Sequence, residues 1–86
     1  MKVVMHELEH CPNCKVVSRL IERRFGDAVE VEHRVMTSED VDRFVAEGLT
    51  SSPVVEVEGK RYTASTREDR ETLLETLQIV HDHTSV

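Results

Sequence analysis

Cys11 and Cys14 are the residues of this sequence best suited to chemistry. They are the only cysteines in 86 residues, and only Pro12 and Asn13 separate them, so their sulfurs can form a disulfide. The pair follows an apolar run and opens a predicted helix, whose first turn has unpaired N–H groups and a partial positive charge. Both features favour a thiolate, which is the attacking species in disulfide exchange. The pattern therefore predicts a redox site with one nucleophilic cysteine and a second within reach.

The elements on either side of the cysteines are predicted from apolar spacing. The stretch 2–8 has the apolar character of a strand. From Pro12 to Phe25 the apolar residues recur at helical intervals, Pro12 suits a first helical turn, and Gly26 suits the position after a last one. A strand, the cysteine pair and a helix thus follow one another directly.

The remaining elements follow from the same patterns. Alternating valines over 29–35 predict a strand, and Thr37 or Ser38 caps a short helix that ends at Gly48. Strands over 54–57 and 60–63 are joined by a turn at 58–59, and Ser65 or Thr66 caps a last helix. From His81 onwards the sequence offers nothing to pack, so we expect one domain over residues 1–81 and a frayed tail over 82–86.

Composition narrows the classes of function. The formal net charge is −6, which argues against nucleic acid as the main partner because phosphate binding needs a basic face. No apolar run reaches the ~20 residues of a membrane span, so no membrane partner is expected. The stretch 1–5 is too short for a signal-peptide core. We therefore expect a cytoplasmic protein, a setting in which a close cysteine pair is more often catalytic or metal-binding than structural.

The order of elements, the C-x-x-C motif at the first strand-to-helix turn, and Ser51-Ser52-Pro53 before the third strand resemble the thioredoxin fold in its small, glutaredoxin-sized form. Phe25-Gly26-Asp27 and Glu47-Gly48-Leu49 are similar to stretches of small thioredoxin- and glutaredoxin-like proteins of archaea and some bacteria. The resemblance covers nearly the whole chain. It implies an α/β, thioredoxin-like fold with a four-stranded mixed sheet and three helices, in the order βαβαββα.

The resemblance also implies roles for six residues. Cys11 matches the attacking cysteine and Cys14 the resolving one, so both are predicted to be catalytic. Pro12 and Asn13 match the variable pair that tunes reduction potential, and together with Ser52 and Pro53 they are predicted to contact substrate. Pro53 matches a proline that follows a cis peptide bond in the family, and the backbone of Ser52 matches one that pairs with an extended substrate segment.

The implied activity is that of a thiol–disulfide oxidoreductase, a protein-disulfide reductase. Its expected partners are protein disulfides and a thioredoxin-type reductase. The expected protein is a monomer with no cofactor.

Three departures from the glutaredoxin pattern argue against a dedicated glutathione site. Leu8 stands where glutaredoxins usually carry a lysine, Asn13 where they carry a tyrosine, and Thr63-Ala64-Ser65-Thr66 where they have Gly-Gly and an aspartate. Thioredoxins, in turn, have a buried aspartate in the first strand, and the nearest match here is Met5. The proton acceptor for Cys14 is therefore unassigned, and a glutathione-dependent glutaredoxin remains an alternative.

Metal binding is the second alternative. Two cysteines and two histidines can hold zinc tetrahedrally, and His6 and His10 lie within a few residues of the cysteine pair. His6 should sit inside the strand, however, and His81 and His83 would reach the site only if the tail folded back. An iron–sulfur cluster bridging two copies is a further alternative. We predict no metal ligands.

For the remaining residues of note we predict structural rather than chemical roles. We expect His10 to be solvent-exposed, although as an imidazolium it could stabilise the neighbouring thiolate. Met5 is expected to fill the core. Arg67 and Arg70, interleaved with acidic residues, are expected to lie on a solvated helix face.

Overall fold

The computed structural model describes residues 1–84 as four strands and three helices in the predicted order. A short 3₁₀ turn, Gly26–Ala28, follows the first helix and is the one element that the sequence patterns did not predict. The elements are β1 (Lys2–Glu7), α1 (Pro12–Phe25), β2 (Glu30–Val35), α2 (Ser38–Ala46), β3 (Val54–Val57), β4 (Lys60–Thr63) and α3 (Arg67–Thr84).

The strands form one mixed sheet in the order β2-β1-β3-β4. β1 lies parallel to β2 and antiparallel to β3, and β3 is antiparallel to β4. Val3 pairs with Val31 on one side and with Val57 on the other. The parallel pair needs a crossover connection, which α1 supplies, whereas the two-residue turn at 58–59 joins the last two strands directly. The predicted α/β class with four strands and three helices is thus observed.

The main core lies between one face of the sheet and the helices α1 and α3. Alternate residues of β1 and β3 point to this face, and apolar residues of the two helices cover them. Met5 is fully buried here, as predicted. The core residues are Val3, Met5, Cys14, Val17, Ile21, Val29, Val55, Val57, Ala64, Leu73 and Leu77.

The opposite face of the sheet is covered by α2. Phe44 is 1% exposed, and its ring lies 5.0 Å from the imidazole of His6, measured between centroids. His6 alternates with Met5 along β1 and pairs with the buried Val54 of β3. His6 is therefore a buried residue of the second face, on the other side of the sheet from Cys14.

Side-chain caps start two of the helices where the sequence predicted them. The Thr37 hydroxyl accepts from the Asp40 N–H at 3.2 Å, and the Asp40 carboxylate accepts from the Thr37 N–H at 3.0 Å, a complete capping box. The backbone N–H of Thr37 is the main cause that lowers the pKa of Asp40 below its ordinary value. For α3, the Thr66 hydroxyl accepts from the Asp69 N–H at 3.1 Å.

The turn between β3 and β4 needs two residues with positive φ. Glu58 has φ 49° and Gly59 has φ 81°, as in the two-residue hairpin turn that matches the twist of the flanking strands. Glycine adopts this backbone conformation without the steric cost that a Cβ imposes, so Gly59 fixes the register in which Val57 pairs with Lys60.

The last helix is longer than the sequence pattern predicted. It runs to Thr84, so residues 82–84 are helical where we expected the start of a frayed tail. Val80 packs against the core, and the His81 ring lies 6.1 Å from that of Phe25 in an edge-on arrangement. These contacts hold the last turns of α3 against the rest of the protein. The rest of the predicted tail, residues 85–86, lies outside the described residues.

None of the helices within residues 1–84 combines the length and the apolar character needed to cross a membrane.

Candidate functional site

Cys11 and Cys14 form a disulfide at the N-terminus of α1. Cys11 is the N-cap residue, with extended backbone, and Cys14 lies in the first turn, at a Cα–Cα distance of 5.3 Å. Cys11 is partly exposed, whereas Cys14 is 2% exposed and belongs to the core. The two sulfurs therefore differ in access, and only Cys11 is open to a partner.

Two hydrogen-bond donors point at the Cys11 sulfur. The backbone N–H of Cys14 donates to it at 3.2 Å, as expected for an N-cap side chain. The Ser52 hydroxyl lies 3.4 Å away, and because a disulfide sulfur carries no hydrogen, the hydroxyl is the donor. In a reduced site the same two donors would stabilise a thiolate on Cys11, since hydrogen bonds to a charged acceptor are the stronger kind.

Ser52 and Pro53 form the loop that faces the cysteines. The peptide bond between them is cis, and Pro53 is buried. The Ser52 carbonyl accepts a hydrogen bond from the Asn13 side-chain amide at 3.1 Å. No residue from 1 to 84 bonds the Ser52 N–H, so it is free to pair with an incoming chain.

Asn13 holds the site together. Its side-chain NH₂ donates one hydrogen to the Ser52 carbonyl and the other to the Ala64 carbonyl, at 3.1 and 2.9 Å. Its side-chain oxygen accepts from the Arg70 guanidinium at 3.1 Å. One residue between the cysteines thus joins the loop before β3, the loop after β4 and α3. Both amide hydrogens of Asn13 are thus used within the protein.

Arg70 was expected on a solvated helix face, and that expectation was wrong. Its side chain is half-buried and donates to the Asn13 oxygen and, at 3.4 Å, to the carbonyl of Ser65. Arg67, one turn earlier, matches the expectation: it is exposed and pairs with Glu71 at 3.3 Å. Sequence carried no signal for the role of Arg70, because its partner Asn13 lies 57 residues away.

A groove of about 360 Å³ opens beside Cys11 along α1. His10 lies at its rim and is exposed as expected, with φ 57° and its imidazole 3.9 Å from the Glu9 carboxylate. Val16, also in the groove, is 45% exposed. The lining residues are His10, Cys11, Pro12, Lys15, Val16 and Arg19.

Of the histidines weighed as metal ligands, His10 precedes Cys11 directly, whereas His6 and His81 lie away from the cysteines. His6 is buried beneath Phe44 on the opposite face of the sheet, and His81 packs beside Phe25, which ends α1 at the far side from Cys11. Throughout the described part of the chain, no three His, Cys, Asp or Glu side chains approach closely enough to hold a metal ion.

All six predicted site residues come together. Cys11, Pro12, Asn13 and Cys14 form the start of α1, and the loop of Ser52 and Pro53 reaches them across 41 positions of sequence. Sequence reasoning missed Arg70, the Ala64 carbonyl and the contact from the Ser52 hydroxyl to Cys11.

Comparisons with protein-family models, with curated proteins and with solved structures find no match to this chain.

Proposed function

We propose that this protein is a thiol–disulfide oxidoreductase with a thioredoxin-like fold, exchanging its Cys11–Cys14 pair with the disulfides of other proteins. One observation carries the proposal: a disulfide at a helix start, with an accessible sulfur that has two hydrogen-bond donors and a buried sulfur behind it. The order of the sheet, with β1 parallel to the edge strand β2 and antiparallel to β3, supports the fold assignment, as does the X-Pro loop beside the cysteines.

The reaction starts from the reduced protein. The Cys11 thiolate attacks one sulfur of the partner disulfide, that S–S bond breaks, and the departing partner sulfur takes up a proton. The thiolate of Cys14 then attacks the Cys11 sulfur of the mixed disulfide. The second partner sulfur leaves and is protonated, and the Cys11–Cys14 disulfide forms. The partner gains two electrons and two protons, which a dithiol reductase later restores to the protein.

The loop at Ser52 supports binding of an extended partner segment. Ser52, whose N–H is unbonded within residues 1–84, contacts the Cys11 sulfur through its hydroxyl, and its carbonyl is held by the Asn13 amide. Pairing through backbone groups tolerates many side chains, so protein segments are the substrates that this edge favours.

A thioredoxin-type reductase is the proposed source of electrons. In the loop where glutaredoxins carry glycines, Ala64 is fully buried and its carbonyl already accepts from Asn13, which argues against a glutathione site there. We expect rapid recycling of the oxidised protein by NADPH with a thioredoxin reductase, and slow recycling by glutathione with its reductase. Efficient glutathione-coupled turnover would instead favour the glutaredoxin alternative.

The two cysteines provide the direct test. Cys11→Ser should abolish reduction of insulin disulfides, because the buried Cys14 cannot replace an accessible nucleophile. Cys14→Ser should still attack but be unable to release its partner, so covalent mixed disulfides accumulate on a non-reducing gel. Arg24→Gln, a substitution of an exposed residue near the other end of the same helix, serves as the control for folding. Equal trapping by both cysteine variants would refute the assigned roles.

A further inference from the structure

Basic side chains without an acidic partner are concentrated on α1, the helix that starts at the cysteines. Within residues 1–84, Lys15, Arg19 and Arg23 take part in no salt bridge and no side-chain hydrogen bond. Acidic residues outnumber basic ones by 17 to 11, so the chain has enough carboxylates to pair with every cation. Elsewhere the basic side chains that contact carboxylates are Lys2, Arg34, Arg43, Arg61 and Arg67.

The unpaired cations continue from the accessible cysteine along one side of the helix. At 1.5 Å per residue, Lys15, Arg19 and Arg23 lie about 6, 12 and 18 Å along the axis from Cys11. Lys15 and Arg19 line the same groove as the Cys11 sulfur. The acidic side chains nearest in sequence are Glu9, which lies beside His10, and Glu22, the one acid of α1. Glu7 also lines a pocket with Lys15 and Arg19, but its carboxylate pairs with His33 at 3.1 Å. Three cations that have no ion pair within residues 1–84 thus follow the accessible cysteine in an otherwise acidic protein.

We propose that Lys15, Arg19 and Arg23, named here the basic row, dock an acidic segment of the protein whose disulfide is reduced at Cys11. The inference rests on the proposed function and names the class of its substrate. Opposite charges across an interface raise the rate of productive encounter and select among partners. An extended segment of about five residues spans the ~18 Å from Cys11 to the far end of the row. A small disulfide has no such length, so the row fits a protein partner.

Three synthetic peptides test the proposal. Each contains the same disulfide loop and a five-residue flank, which is Glu, Gln or Lys throughout. The protein is reduced with a small dithiol, freed from it, and mixed with each peptide, so that the two electrons passed to the peptide appear as the Cys11–Cys14 disulfide. We expect the Glu peptide to react roughly tenfold faster than the Gln peptide, and the Lys peptide to react more slowly. The preference should shrink in 0.5 M salt, where charges are screened within a few Å.

A pair of double variants locates the effect. In the double variant Lys15→Gln/Arg19→Gln, the ratio of the rate with the Glu peptide to the rate with the Gln peptide should fall close to one. Because both rates depend on Cys11, their ratio is insensitive to a change in the reactivity of Cys11 itself. Arg24→Gln/Lys60→Gln changes the net charge equally at two exposed residues outside the row, and should keep the wild-type ratio. Equal loss of the ratio in both double variants would show a general charge effect and overturn the proposal.

The remaining outcomes separate the inference from the function on which it rests. If the wild type reduces all three peptides equally fast, the basic row selects nothing and the inference fails while the proposed function stands. If no peptide is reduced, the proposed function itself fails. Glutathione disulfide, which also carries carboxylates, is the small-molecule arm, and turnover as fast as that of the Glu peptide would overturn the assignment to a protein partner.

Discussion

The contact between Asn13 and Arg70 gives a quantitative test of how the site is held together. Asn13 makes three hydrogen bonds, to the carbonyls of Ser52 and Ala64 and from Arg70. Each such bond contributes about 0.5–1.5 kcal/mol net, with the lower part of that range expected for groups that water can reach. Alanine recovers about 0.5 kcal/mol of helix propensity. Asn13→Ala should therefore cost about 2 kcal/mol, a large share of the ~4–13 kcal/mol available to a domain of this size.

Urea unfolding of the oxidised protein measures this cost. With a slope of about 1 kcal/mol per molar urea for a small domain, the midpoint should fall by roughly 2 M. A double-mutant cycle with Arg70→Ala then isolates the single contact, and we expect a coupling free energy of about 1 kcal/mol. This coupling free energy is smaller than that of a fully buried hydrogen bond to a charged group, because Arg70 is only half-buried.

Arg67 provides the matched control. It lies one turn before Arg70 on the same helix, but it is exposed and its guanidinium pairs with Glu71. The cycle of Asn13→Ala with Arg67→Ala should give a coupling within about 0.3–0.5 kcal/mol of zero, as expected for independent sites. Equal coupling in the two cycles, or none between Asn13 and Arg70, would refute the view that Asn13 joins α3 to the cysteine loop.

Two further predictions concern stability away from the cysteines. The fold lowers the pKa of Asp40 below its ordinary value of 3.8. The charged carboxylate therefore stabilises the protein fully at pH values above 3.8. This stabilisation is lost as the pH falls through the lowered pKa. Asp40→Asn should therefore unfold at lower urea than wild type at pH 7, with the gap closing in acid, whereas Asp42→Asn on the same helix should show no gap. His6→Phe should stabilise the fold by about 1 kcal/mol, because the buried His6 Nε2 has no hydrogen-bond partner among the described residues. A lower urea midpoint in that variant would mean that the approach of His6 to Glu56, at 3.6 Å, outweighs the unsatisfied nitrogen.

Local patterns in the sequence were sufficient for most of the secondary structure. Pro12 and Gly26 delimit α1 because one lacks an N–H that the first turn does not need and the other adopts φ 56° after the last turn. Thr37 and Thr66 cap their helices through side chains that reach backbone N–H groups three residues ahead. Such interactions span a few residues, so they can be read without knowing the fold.

The end of α3 could not be read in this way. Its last turns carry few apolar residues, and the sequence predicted a frayed tail over 82–86. The helix continues because Val80 reaches the core and His81 meets Phe25, at the end of a different helix. Packing against a distant element decided a boundary that local propensity left open.

The sequence alone determined that the two cysteines can form a disulfide at a helix start, because two residues of spacing there fix both their proximity and their environment. Tertiary structure decided the rest of the site. It buried Cys14 and left Cys11 accessible, placed the Ser52 hydroxyl on the Cys11 sulfur, and turned Arg70 from a surface charge into a partner of Asn13. These contacts join residues 41 and 57 positions apart, and only the pairing of the strands and the packing of the helices bring such distant groups within hydrogen-bond distance.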